Sequence, residues 1–122
     1  MSKPNLGYAL ASQPLIFLFF SGTTTTASMY LPTAGGIAAD GIPIPFAGTL
    51  SRLTVFDGTT VRADTDNITF AANDRLSLYC QNVGGTFTVK VRLNGVSTNL
   101  QVASVPLNST LQVSLAFAIN RV

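Results

Sequence analysis

The stretch TFTVKVRLNGVSTNLQV, residues 86–102, alternates apolar and polar side chains with a period of two. Phe87, Val89, Val91 and Leu93 point one way; Thr88, Lys90 and Arg92 point the other. Such alternation marks a strand with one buried and one wet face, because successive side chains leave a strand on opposite sides. Asn94-Gly95 follows, and both residues tolerate the positive φ that a type I′ turn needs. The return strand is expected over residues 97–102. Beyond Pro106, residues 110–119 place Leu111, Val113, Leu115, Phe117 and Ile119 on one face.

The same period runs upstream. Residues 48–56 read as a strand ending at the turn signal Asp57-Gly58. Residues 59–63 and 67–70 read as two short strands, and residues 74–80 as another that stops before Gly84-Gly85. With residues 15–20 and 27–31, eight or nine strands are expected, and no window carries a helical stripe. Short strands with Gly, Pro and Asn turns predict an all-β, antiparallel, jelly-roll-like β-sandwich. It forms one domain, residues 15–122, preceded by an irregular N-terminal arm, residues 1–14. Residues 32–47 are expected to be a long Gly/Pro/Ala connection.

Charge narrows the reading further. The chain of 122 residues holds seven Lys and Arg and five Asp, with no Glu and no His. Ordinary soluble domains are about one quarter charged; here the share is 10%. So few charges cannot solvate a small surface all round, which predicts that part of it is covered by other protein. The net charge of +2 comes without a run of cations, so no nucleic-acid partner is expected. The single cysteine, Cys80, cannot form an internal disulfide. It reads as a small buried hydrophobe in a chain that folds in a reducing compartment.

LIFLFF, residues 15–20, is apolar on both parities. It is too short for a membrane helix, which needs about 20 apolar residues, and shorter than the apolar core of a signal peptide. No membrane partner is expected, and the run should belong to the mature fold. A strand apolar on both sides is covered on both sides. One side should lie on the core and the other under the 32–47 loop or a neighbouring subunit. A fully intramolecular core strand is the alternative. Leu15, Phe17 and Phe19, with Lys3 and Tyr8 of the arm, are candidate protein contacts.

Catalytic chemistry finds few tools. Without His there is no Ser-His pair and no usual zinc ligand. Without Glu, a paired-carboxylate hydrolase would have to use Asp alone. Each Asp adjoins a turn, where its side chain bonds nearby backbone N–H groups. Asp57, Asp64 and Asp66 are the best calcium candidates, but Arg62 lies among them and the turn reading is preferred. No phosphate-binding loop is present. The expectation is no enzyme, no metal and no cofactor. Trp is absent and no aromatic platform for a sugar is evident. Lys90 and Arg92, two cations on one outward strand face, are candidate contacts for an acidic protein surface.

MYLPTAGG, IPIPFAGTLSRLTVF and TFTVKVRLNGVSTNLQV together resemble small jelly-roll proteins of tailed-bacteriophage structural modules. Those proteins share a YLP segment, a P-x-A-G-T-L-x-x-L-x-V strand and a T-V-x-V-R-x-N-G-V-x-T hairpin. FAANDRLSLYC is similar to their V-A-A-G-D-x-L-S-V element, with Asn73 where Gly is usual. In many members this element follows the NG hairpin; here it precedes it. The likeness covers about residues 29–102 and carries no catalytic motif. Gly48, Asn94 and Gly95 would serve turns and backbone approach.

The resemblance implies a virion structural protein, made in the host cytoplasm and placed on the capsid surface. Its partners would be itself, as a homotrimer, and the major capsid protein, with the trimer acting as a decoration or cement protein that bridges capsomers. A receptor- or carbohydrate-binding module of a tail fibre or spike is the alternative, with exposed Tyr or Asp near loop tips. A neck or tail adaptor is a third.

Overall fold

The first and last long strands of the chain lie side by side. In the computed structural model of the protein, residues 15–33, 36–37 and 39–120 are described. Eleven strands follow in order: β1 Leu15–Thr23, β2 Met29–Tyr30, β3 Pro32–Thr33, β4 Gly36–Ile37, β5 Ile42–Pro43, β6 Gly48–Phe56, β7 Val61–Phe70, β8 Arg75–Val83, β9 Thr86–Leu93, β10 Val96–Val105 and β11 Thr110–Ile119. One sheet has the order β1-β11-β6-β7; the other runs β10-β9-β8-β2, with β5 also on β8. All pairings are antiparallel. The two sheets form a sandwich, consistent with the jelly-roll-like winding expected. The arm, residues 1–14, lies outside the described residues, and with it Lys3 and Tyr8.

Period-two alternation produces the core. Leu76, Leu78 and Cys80 of β8, Phe87, Val89 and Val91 of β9, and Leu111, Val113, Leu115 and Phe117 of β11 are all buried. With Phe20 of β1 and Leu50, Leu53 and Val55 of β6, which share the sheet of β11 and face β8 and β9, they form one cluster. Where parity slips, a bulge absorbs it. Leu50 and Leu53 are three apart, yet both are buried. The register of β6 against β11 shifts at Ser51, the extra residue of a β-bulge, and its register against β7 shifts at the same place, where Ser51 lies opposite Asp66 and Asn67. In β10, Val102 and Val105 both reach the core across a second shift, with Ser104 at φ 63°.

The turns behave as their residues dictate. Asn94 and Gly95 take φ of 53° and 82°, the double positive φ of a type I′ turn. Asn94 does more: its Oδ1 accepts the Arg75 N–H, and its Nδ2 donates to Asp74. Asn73 sits at φ 70°, so a residue tolerant of that region is required there.

Four expectations need correction. The segments at 59–63 and 67–70 are one strand, β7; Asp64 and Asp66 sit within it at half-buried positions that a loop reading had claimed. The 32–47 connection is not wholly irregular, since β3, β4 and β5 fall inside it. Gly48 is no turn residue: it opens β6, buried, with the backbone of Ala118 close by. The strand expected over 27–31 contracts to β2, although the Leu31 N–H still donates to the Leu78 carbonyl.

Candidate interaction faces

The outward side of the β1-β11-β6-β7 sheet is the first candidate. Strand register aligns Phe19, Ser114, Thr54 and Ala63 in one row across the sheet. The next row is Ser21, Gln112, Phe56 and Val61. Phe17, Phe19 and Val61 are 53%, 67% and 63% exposed. Phe19, Phe56 and Val61 line an open cavity of about 520 Å³ together with Thr54, Gln112 and Ser114. Arg52 is the sole charge among the described outward positions of the four strands. Exposed apolar surface this concentrated, on a face almost without charge, makes this face a candidate interaction site.

LIFLFF is thus an edge strand with two unlike sides. Phe20 is 2% exposed and Leu18 packs on the core. Phe17 and Phe19, on the other parity, are not covered by the described part of the 32–47 segment, which overturns the fully intramolecular reading. The Leu15 backbone pairs with Ala118.

The second candidate lies on the opposite sheet. Register sets Tyr30, Tyr79, Lys90 and Gln101 in a single row across β2, β8, β9 and β10. The Tyr30 and Tyr79 rings are 4.8 Å apart, tilted by 47°. Arg92 reaches over them. Its guanidinium lies 4.1 Å from the Tyr79 ring centre, a cation–π contact. Its Nη1 donates to the Tyr30 hydroxyl at 2.7 Å and its Nε to Ser97 Oγ at 3.1 Å.

An aromatic platform therefore exists where none was expected, and it lies on a sheet face rather than at loop tips. Arg92 is half-buried on it, not free in solvent. Parity alone places Tyr79 outward, between buried Leu78 and Cys80. The pairing that brings Tyr30 beside it is non-local and has no sequence signal.

Ser77, cross-strand from Arg92, is buried and its Oγ has no hydrogen-bond partner among the described residues. An unpaired buried hydroxyl costs about 1–3 kcal/mol, and removing it is often neutral or stabilising. Ser77→Ala is expected to hold or raise the thermal midpoint; a fall of several degrees would contradict this assignment.

The carboxylates serve the fold. Asp57 accepts the Thr60 and Thr59 N–H groups and pairs with Arg62. The Thr60 bond is the largest cause, ahead of Arg62, of its pKa falling from 3.8 to about 2. Asp74 is lowered in the same direction by its bond from Asn94 and then by the Ala71 N–H. The folded carboxyls hold their protons less tightly than the unfolded ones. The contribution of Asp57 is therefore complete above pH 3.8 and lost as pH falls through about 2, and that of Asp74 is lost in the same direction. Stability should be level from neutral pH to about 4 and decline below it. Asp57→Asn should flatten that decline, measured by denaturant midpoints at stepped pH.

Asp64 accepts the Gln101 N–H and Asp66 its neighbour's, Asn67. Among the described residues no acidic cluster is arranged for a metal. Burial pushes the Cys80 thiol up to about 12, so it is held as an inert thiol.

Comparison with family models, curated proteins and solved structures returns no match. What the two faces can do rests on their own chemistry.

Proposed function

We propose that this protein is a structural component of a tailed-phage virion. In this reading it is a decoration protein that forms a homotrimer on the outer capsid surface and bridges adjacent capsomers of the major capsid protein. The observation that carries the reading is the exposure of Phe17 and Phe19 on the edge strand β1, in a face that bears one charge. Covering each Phe on assembly is worth about 1.5–3 kcal/mol. An apolar edge left open invites pairing with another chain, and assembly removes that liability.

In a cyclic trimer the contact is heterologous: the β1 side of one copy meets a different patch of the next. The likeness of residues 29–102 to phage jelly-roll modules points the same way. Function then follows from linkage. A protein that binds only the assembled shell stabilises that shell by mass action.

The test adds purified protein to undecorated shells of its phage. Saturable binding, with a rise in the temperature at which the shells disrupt, is expected. Shells that neither bind the protein nor gain stability would overturn the reading.

A further inference from the structure

We infer that the outward face of the β10-β9-β8-β2 sheet is a binding platform for an acidic oligosaccharide, its carboxylates held by Lys90 and Arg92 and its hydroxyls met by the Tyr79 hydroxyl and the Gln101 amide. This goes beyond shell binding and does not depend on it.

Charge is the first reason. Within the described residues the one ion pair is Arg62–Asp57, at the far sheet. Among the described residues the Lys90 side chain makes no hydrogen bond, and the Arg92 side chain meets two hydroxyls and two rings but no carboxylate. Together with the exposed Arg75 of β8, three cations thus share one face, and none of them is in an ion pair among the described residues. Two acids flank the face and both are engaged: Asp64 Oδ2 accepts the Gln101 N–H at one end of the row, and Asp74 accepts from the Asn94 side chain at the hairpin end. An anionic ligand meets complementary charge at the Tyr30–Lys90 end of the row.

The neutral polar groups beside the cations are the second reason. An acidic peptide would need only the cations. A sugar also offers hydroxyls, and the platform offers matching groups. The Tyr79 hydroxyl and the Gln101 side-chain amide have no hydrogen-bond partner among the described residues, and both lie in the row with Lys90.

Geometry is the third. The row crosses four adjacent strands, and with strand spacing of about 4.8 Å it spans roughly 14 Å, the reach of a short linear oligosaccharide. Arg92 is held in place before any ligand arrives. Tyr30 and Ser97 fix two edges of its guanidinium, and Tyr79 supports its plane. Such preorganisation lowers the ordering cost of binding.

The test is calorimetric titration of the whole protein with trigalacturonic acid, beside neutral maltotriose, sodium sulfate and a poly-glutamate peptide. Saturable binding of trigalacturonic acid is expected, at least ~10-fold tighter than any of the other three. Losing one charged hydrogen bond should weaken it by ~10-fold or more in Lys90→Gln. Tyr79→Leu should weaken it too, with each variant's thermal midpoint confirming that it folds. Binding should weaken with added salt, since exposed charges are screened. Absence of trigalacturonate binding would overturn the inference, as would equal binding of maltotriose, sulfate or poly-glutamate, or an unchanged affinity in Lys90→Gln.

Discussion

Gly48→Ala is expected to destabilise the sandwich by about 3 kcal/mol or more, at or beyond the upper end of ordinary overpacking. A Cβ at this position would sit 2.2 Å from the Ala118 carbonyl oxygen and 2.9 Å from the Phe70 ring. The oxygen is backbone and cannot swing aside. Its strand, β11, is clamped between β1 and β6. The clash therefore has to be relieved by parting β6 from β11 at the Gly48–Ile119 end of the ladder. Phe70 and Phe117 pack edge to face there, 5.9 Å apart, so the core would loosen with it.

Gly58→Ala is the informative comparison. Gly58 has nothing within 4 Å but sits at φ 97°. Its cost is backbone strain alone, about 1–2 kcal/mol. Denaturant midpoints for the two variants should separate clearly. A Gly48→Ala protein as stable as Gly58→Ala would show that β6 and β11 are less closely apposed than described.

The second large effect concerns assembly. In the Phe17→Glu/Phe19→Glu double variant the chain should stay folded, because both side chains are mostly exposed in the single chain. Its association should collapse. Each substitution removes a ring whose burial is worth about 1.5–3 kcal/mol and places a charge in the contact. On three equivalent interfaces this is enough to convert a trimer to monomers at micromolar concentration. Leu18→Glu acts on the opposite parity of the same strand, which packs on the core. It should unfold the protein instead. Sizing with circular dichroism separates the outcomes. A double variant that keeps the native mass would move the interface elsewhere.

Much of the sandwich was legible because its information is local. Alternation over 86–102 and 110–119, with Asn94-Gly95 between strands, dictates hairpin and parity together. Gly84-Gly85 turns with φ of 63° and 95°, as its composition implies. What sequence hid was non-local. The bulge at Ser51 is silent until two neighbouring strands show where the register slips. The long β7 was split in two because Asp64, Thr65 and Asp66 read as loop. Yet a β7 edge packed along β10 tolerates them, with Asp64 binding the Gln101 backbone.

LIFLFF was half legible: its core side follows from Leu18 and Phe20, but its exposed side depends on β1 ending the sheet. The Tyr30–Tyr79–Arg92 cluster depends on a two-residue strand, β2, docking on β8. Period-two reading cannot supply such a partner. It could supply only Lys90 and Arg92, which share a strand.

The measurement that bears most directly on the central claim is the solution mass of the purified protein, by light scattering behind a sizing column. Self-assembly through the β1 face predicts a mass near three times the 12.8 kDa chain, falling to a single chain in the Phe17→Glu/Phe19→Glu variant. A wild-type protein that runs as a monomer at tens of micromolar would contradict it.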